Sequence, residues 1–433
     1  MLKKFNCRKA VSIFVLVIMV FNFIDIVSWK RNDILSRKKA PSSSSVDWAK
    51  LYPFQGKDVR TTNGTANTPQ KVASTGFLEK WRSAAYSITS KEKDLEKKCI
   101  YNMFAFHKFV ELNGFVNKSC GRIIYPTPGV FLLNNGQWTF NAKKVSAKDI
   151  HRTAESISGL ANYASSKGIP FLYVQRPEKI CKYDPKMPAG AVNYSNQNFD
   201  GIIADLKKEN VPVFDLREQI HKEGLNHYSL FYRNDHHWTV ETALWAAGEI
   251  GRKLNSDYSC GLNPAVANRN LYTKRTYKDW FLGSAGQMVS LGCAKPEDFS
   301  VLLPDFQTSL QMRIPDIELC KTGEFKDVIY NTKVLNTKDY YNSSCYDTQL
   351  YGNHALTQIK NELNPDGPKI LVLGDSFCLS MVPYLSLMAK ETDLIDFRND
   401  QGDFTGSIRS YIDKMKPDVV LLTYEPHVLY SLK

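Results

Sequence analysis

The chain has 433 residues, 43% of them apolar and 23% charged, which supports one large or two ordinary domains with a real core and excludes a wholly disordered chain. Its net charge of +12 is spread through runs of mixed sign such as SKEKDLEKKC (90–99), which read as solvated helix faces. No nucleic-acid motif accompanies that charge, so a nucleic-acid partner is excluded, while attraction to an anionic polymer or to lipid headgroups is compatible with it.

The N-terminus places Lys3, Lys4, Arg8 and Lys9 before an apolar stretch from Ala10 to Trp29 that only Asn22, Asp25 and Ser28 interrupt. That is the length of a membrane span. A cleaved signal peptide is the rival reading, but the stretch is long for one and no small-x-small cleavage site follows, which favours an uncleaved signal anchor. The four basic residues before it outnumber Lys30 and Arg31 after it, so the N-terminus is expected in the cytoplasm and the rest outside, as a single-pass protein of the cell membrane. The expected organisation is a cytoplasmic tip and anchor over 1–31, a flexible stalk over 32–95 (RKKAPSSSS and a Gly/Thr/Asn-rich run), and a packed domain over 96–433.

Within that domain IHRTAESISGLANYASSKG has helical spacing and stops at Gly168, and IPFLYVQ is a short buried strand closed by RPEK. The pattern repeats as FDGIIADLKKEN followed by VPVFDL, and ETALWAAGEIGRKLN adds a further helix. Residues 256–365 show few periodic segments and read as a long insertion. Then KILVLG is a strand, LSMVPYLSLMAKE a helix, DLIDFR a strand, SIRSYIDKMK a helix and DVVLLTY a strand. Such alternation predicts an α/β fold with a mainly parallel sheet covered by helices on both faces.

Of nine cysteines, Cys7 precedes the span and eight follow it, an even number that permits disulfides in an exported domain. Cys99 with Cys120 and Cys320 with Cys345 are the neighbouring pairs, isolated thiols the alternative; no Cys-x-x-Cys spacing supports a zinc or redox site.

In parallel sheets reactive groups sit in loops at the carboxyl ends of strands. ILVLGDSF places Ser376 at such an end, with Gly374 allowing a tight turn and a helix following. Alone, Gly-Asp-Ser is also an ordinary turn. Upstream, however, FYRNDHHWT (231–239) carries an acid and a base. In an extended segment residues two apart project to one side, so Asp235 and His237 are expected together, with His236 pointing away as a packed residue and Trp238 as wall or core. A carboxylate holding one imidazole nitrogen while the other faces a serine hydroxyl is the arrangement that activates serine. No third ligand at a recognisable spacing supports a metal at this cluster, and neither a metal nor another cofactor is expected. Cys378 reads as a small buried thiol rather than a nucleophile.

YRNDHHWT together with VLGDSF resembles the DHHW branch of the SGNH hydrolase-like superfamily, which includes periplasmic alginate O-acetylation proteins. The likeness spans roughly 96–433 and includes TYKDWFLGSAG (276–286) and DLIDFRN (393–399). It implies a three-layer αβα sandwich, circularly permuted because the Asp/His segment precedes the Gly-Asp-Ser strand. It also implies Ser376 as nucleophile, His237 as base and Asp235 as orienting acid. Gly402, in RNDQGD, is the implied amide donor of the glycine loop. The loop after DVVLL reads TYEPH and lacks the usual asparagine, so a second oxyanion donor is sought among Arg176, Lys179 and Tyr424, with Arg176 and Lys179 equally readable as ordinary loop charges.

The function implied is an exported O-acetyltransferase acting on a cell-surface or secreted polysaccharide through an acetyl-serine intermediate, supplied with acetyl by a membrane-bound O-acyltransferase. A carbohydrate acetyl esterase with the same triad and a non-catalytic scaffold of a polysaccharide modification or export complex are the alternatives.

Overall fold

The computed structural model describes residues 106–125, 129–399 and 404–424. The chain divides into two units; residues 113–433 lie in the second and carry everything below, while of the first only 106–112, the start of the helix Phe106–Ser119, is described. The apolar stretch Ala10–Trp29, the expected stalk and Gly402 all lie outside the described residues. Among the described residues no helix is long and apolar enough to cross a membrane.

Three short strands, β1 (Ile124–Tyr125), β2 (Val130–Leu132) and β3 (Trp138–Phe140), form a small antiparallel sheet. Next come β4 (Phe171–Gln175) and β5 (Val213–Asp215), the hairpin β6 (Tyr272–Phe281) with β7 (Glu297–Pro304), and β8 (Leu310–Ile314), β9 (Leu319–Gly323) and β10 (Leu356–Asn361). The last three are β11 (Lys369–Gly374), β12 (Glu391–Ile395) and β13 (Val419–Thr423). The main sheet has the order β5-β4-β13-β11-β12-β10-β8-β9. Its first five strands pair in parallel and the remaining pairings are antiparallel.

Two-residue alternation sorts the strands into two cores. Ile370, Val372, Val419, Leu421, Leu172 and Val174 pack on one face with the helices Val240–Tyr258 and Cys378–Ser386. Leu371, Leu373, Val420, Leu422, Phe171 and Tyr173 pack on the other, with Ala147–Ser166, Ser195–Lys208 and Phe404–Met415. A strand apolar on both faces has no solvent side, which is why KILVLG and DVVLL are unbroken apolar runs. The expected αβα sandwich with a mostly parallel sheet is the observed architecture.

Local signals set the helix ends. Ser146 caps Ala147–Ser166 by accepting the Asp149 amide at 3.1 Å, and Gly168 leaves it at φ +73°. Thr239 caps Val240–Tyr258 through the Thr242 amide at 3.3 Å.

The segment 256–365, expected as a long insertion, is not an excursion from the sheet. It supplies β8, β9 and β10, which extend the parallel part antiparallel, and the β6–β7 hairpin. The neighbouring cysteines Cys320 and Cys345 do not pair: both are free thiols, the first exposed on edge strand β9 and the second buried. Cys120 is free as well, and Cys99 lies outside the described residues.

Candidate active site

Strands β4, β13 and β11 are parallel neighbours, so Gln175, Thr423 and Gly374 finish at one edge of the sheet. Beyond β11 the Asp375 side chain accepts the Phe377 amide at 3.1 Å and its carbonyl accepts the Cys378 amide at 2.9 Å, turning the chain into the helix Cys378–Ser386. Gly374 is required by close approach: a Cβ there would stand 2.2 Å from Cys378 Sγ. Ser376 is left half-buried at the mouth of this turn.

The Asp/His segment is a bent loop closed by a bridge between Phe231 and Trp238 and by the Tyr232 amide donating to the His237 carbonyl at 3.2 Å. His237 Nε2 lies 2.8 Å from Ser376 Oγ, and its Nδ1 lies 2.6 Å from Asp235 Oδ1. The other oxygen of Asp235 accepts the Ser284 amide at 2.6 Å. Burial pushes the Asp235 carboxyl up, but His237, His236 and these hydrogen bonds outweigh it and hold the group well below the usual carboxylate range. The carboxylate is therefore charged and fixes the proton on Nδ1, leaving Nε2 to accept from serine.

His236 does not point away as two-residue alternation predicts. The loop bends through 233–237, so the His236 ring lies against that of His237 with centroids 3.8 Å apart, and its Nδ1 is 2.9 Å from Ser284 Oγ. Asp235, His236 and His237 could together present ligand atoms to a metal ion. Holding one would displace the Asp235–His237 and His237–Ser376 bonds, so the arrangement suits proton transfer better.

The loop is held from beneath by groups that sequence reasoning assigned elsewhere or missed. Lys179 is buried, and its ammonium donates to the carbonyls of Trp138, Arg233 and Asp235 at 2.6, 2.7 and 2.8 Å. All three of its protons are thereby committed, which removes it as an oxyanion donor and makes it a strut. Burial pushes that ammonium down to about 7, against the attraction of Glu297 and Asp235. The Glu297 carboxylate accepts the amides of Arg233 and Asn234, each at 2.8 Å. Gly283, at φ +74°, lies so close that a Cβ would stand 2.5 Å from the Asn234 carbonyl, which explains why FLGSAG carries glycine there.

The His237 imidazole is sandwiched. Tyr346 stacks on it at 4.0 Å and 15°, and Phe377 lies 4.8 Å away. The Tyr346 hydroxyl meets Ser380 Oγ at 2.9 Å, and the same oxygen accepts Trp238 Nε1 at 2.8 Å. Ser380, one turn beyond Ser376, thus joins the serine helix, the histidine loop and the stacking ring. Tyr346 and Glu297 sit in stretches with no motif, whereas Ser380 falls at i+4 from Ser376, a spacing the sequence does display.

Arg176 is buried beside the serine turn, with its guanidinium 3.7 Å from the Phe377 ring centre and 3.3 Å from Asp375 and 2.5 Å from Glu178. It grips both neighbours of Ser376. Tyr424 is buried and its hydroxyl donates to Asp396, so its proton is committed away from an oxyanion. Burial pushes the Cys378 thiol well above its ordinary value, consistent with a packed side chain rather than a nucleophile.

Residues 135–312 match the family model described as SGNH hydrolase-like domain, acetyltransferase AlgX. That span holds the Asp235/His237 loop, Gly283 and Glu297, and ends before Ser376. No curated protein matches by sequence. Among solved structures, Bacillus cereus PatB1 with a sulfonyl adduct superposes with a TM-score of 0.56 at 18% identity, covering 70% of this chain and 97% of that one. Another structure of B. cereus PatB1 gives 0.55 at 19% identity, covering 69% and 97%. A DHHW family protein from Eubacterium siraeum gives 0.51 at 16% identity, covering 70% and 91%. At such identities the structures establish a shared fold, and over 135–312 the chain is similar to the SGNH hydrolase-like domain of the acetyltransferase AlgX.

Proposed function

We propose that this chain is an extracytoplasmic O-acetyltransferase, anchored by Ala10–Trp29 and carrying its catalytic domain beyond the stalk, that acetylates hydroxyls of a cell-surface or secreted polysaccharide. The observation that carries the proposal is the continuous bond path Asp235–His237–Ser376, at 2.6 and 2.8 Å. His237 takes the Ser376 proton as Oγ attacks the acetyl carbonyl of the donor, and the C=O π pair becomes an oxyanion beside the Ser376 amide. Collapse expels the donor's oxygen, which leaves with the proton from His237, and acetyl-Ser376 remains. A sugar hydroxyl then gives its proton to His237 and attacks the same carbonyl; collapse forms the sugar acetate and returns the proton to Ser376.

Acetyl-CoA is cytoplasmic, so the donor on the far side of the membrane is supplied by a membrane-bound O-acyltransferase. The sulfonyl adduct in the PatB1 structure supports the reading that domains of this fold present a reactive nucleophile. The test is partitioning: with an aryl acetate as donor and a panel of deacetylated surface polysaccharides, wild-type protein should place acetyl on a polysaccharide faster than on water. Hydrolysis that no polysaccharide in the panel slows or diverts, together with release of acetate from acetylated polysaccharide, replaces the transferase with the esterase. Absence of any acyl-enzyme leaves the scaffold.

A further inference from the structure

The β6–β7 hairpin carries a line of aromatic rings and cations that the chemistry above does not use. Exposed Arg275 stands 5.3 Å over the half-buried Tyr277 ring, and Tyr277 is 6.0 Å from half-buried Trp280. Exposed Lys338 lies between Trp280 and Tyr340, 5.4 and 5.7 Å from their ring centres. Acidic neighbours balance the flanking lysines: Lys274 pairs with Glu241 and Lys278 with Asp298. The line therefore presents rings and hydrogen-bond donors rather than a strong field of one sign.

It is built rather than loose. The Tyr340 hydroxyl donates to the Asp279 carbonyl at 2.7 Å, and Gln287 Nε2 donates to the Tyr340 carbonyl at 2.8 Å, tying this surface to the helix Ser284–Val289. That helix begins at the residue whose amide holds Asp235 and whose hydroxyl meets His236. Trp280 precedes Ser284 by four residues, a chain reach of at most about 14 Å. The rings thus run along the hairpin toward the helix whose first residue, Ser284, contacts Asp235 and His236.

We propose that Tyr277, Trp280 and Tyr340, with Arg275 and Lys338, form the platform that holds the polysaccharide acceptor strand beside Ser376. This rests on the acetyltransferase reading. Rigid amphipathic rings offer the C–H faces of pyranose units a large contact at low entropic cost, and the two long cations donate to their hydroxyls or carboxylates. A multi-residue platform predicts that polymers are better acceptors than single sugars.

The test uses the purified full chain with three probes, polymannuronate, β-1,4-xylan and chitin oligomers, and the variants Trp280→Ala, Lys338→Ala and Arg275→Ala. Direct binding of wild type to at least one probe should weaken tenfold or more in Trp280→Ala and severalfold in the cation variants. Acylation by an aryl acetate should stay unchanged, which also reports that each variant is folded. If acylation is absent in wild type, the acetyltransferase reading fails while the binding comparison still decides the platform. Wild type binding none of the three, or variants binding each probe as wild type does, overturns it.

Discussion

Replacing Lys179 by methionine should destabilise the protein out of proportion to the single charge removed. Methionine fills about the same space but cannot donate to the carbonyls of Trp138, Arg233 and Asp235, and it removes the ammonium whose attraction offsets the desolvation of half-buried Glu297. Arg233 keeps a second partner, since its carbonyl also accepts the Trp138 amide at 2.9 Å, so the penalties do not simply add. Leaving the buried Trp138 and Asp235 carbonyls without this donor costs about 1–3 kcal/mol each. That is a large part of a total folding stability of about 5–15 kcal/mol. Urea unfolding followed by tryptophan fluorescence, extrapolated to water, measures it. Adding Glu297→Gln should restore part of the loss, because no carboxylate is then left without that attraction, giving a double variant less damaged than the sum of the singles. A loss below about 1 kcal/mol for Lys179→Met, an ordinary value for a surface substitution, would refute the strut.

Further outcomes follow from the same geometry. His237→Ala should abolish acylation of the serine, whereas His236→Ala should slow it by a smaller factor through loss of the stack on His237 and of the Ser284 contact; equal losses in two folded variants would mean both rings transfer protons. Gly283→Ala should destabilise by several kcal/mol, since it combines a strained φ with a clash against backbone, and thermal melting measures it. Because folding depresses the Asp235 pKa, its contribution to stability is present above the unfolded value of about 3.9 and is lost as pH falls through the lower folded value. Asp235→Asn should therefore flatten the acid side of the stability profile below about pH 4, and a profile unchanged by the substitution would contradict the assigned charge.

The parallel half of the sheet was legible because its strands are buried on both faces, so KILVLG and DVVLL stand out as apolar runs closed by turns. The antiparallel half was not, although LQMRI does alternate Leu310, Met312 and Ile314 toward the core. Its short edge strands are embedded in polar loops, and pairing across the sheet, not composition, makes them strands. That Asp235, His237 and Ser376 come together was readable from residue type and order. The orientation of His236 was not, because alternation holds only for extended backbone and this loop bends. Glu297, Tyr346 and Lys179 act on the site only through tertiary contacts, between segments up to 118 residues apart in the case of Lys179 and Glu297 (297 − 179), and no local pattern announces such contacts.

The most direct measurement of the central claim is intact-protein and peptide mass spectrometry after brief reaction with an aryl acetate at neutral pH. The account predicts a gain of one acetyl group located on Ser376, absent in Ser376→Ala and strongly slowed in His237→Ala. Acetyl found on another residue, or formed equally well in Ser376→Ala, would contradict it.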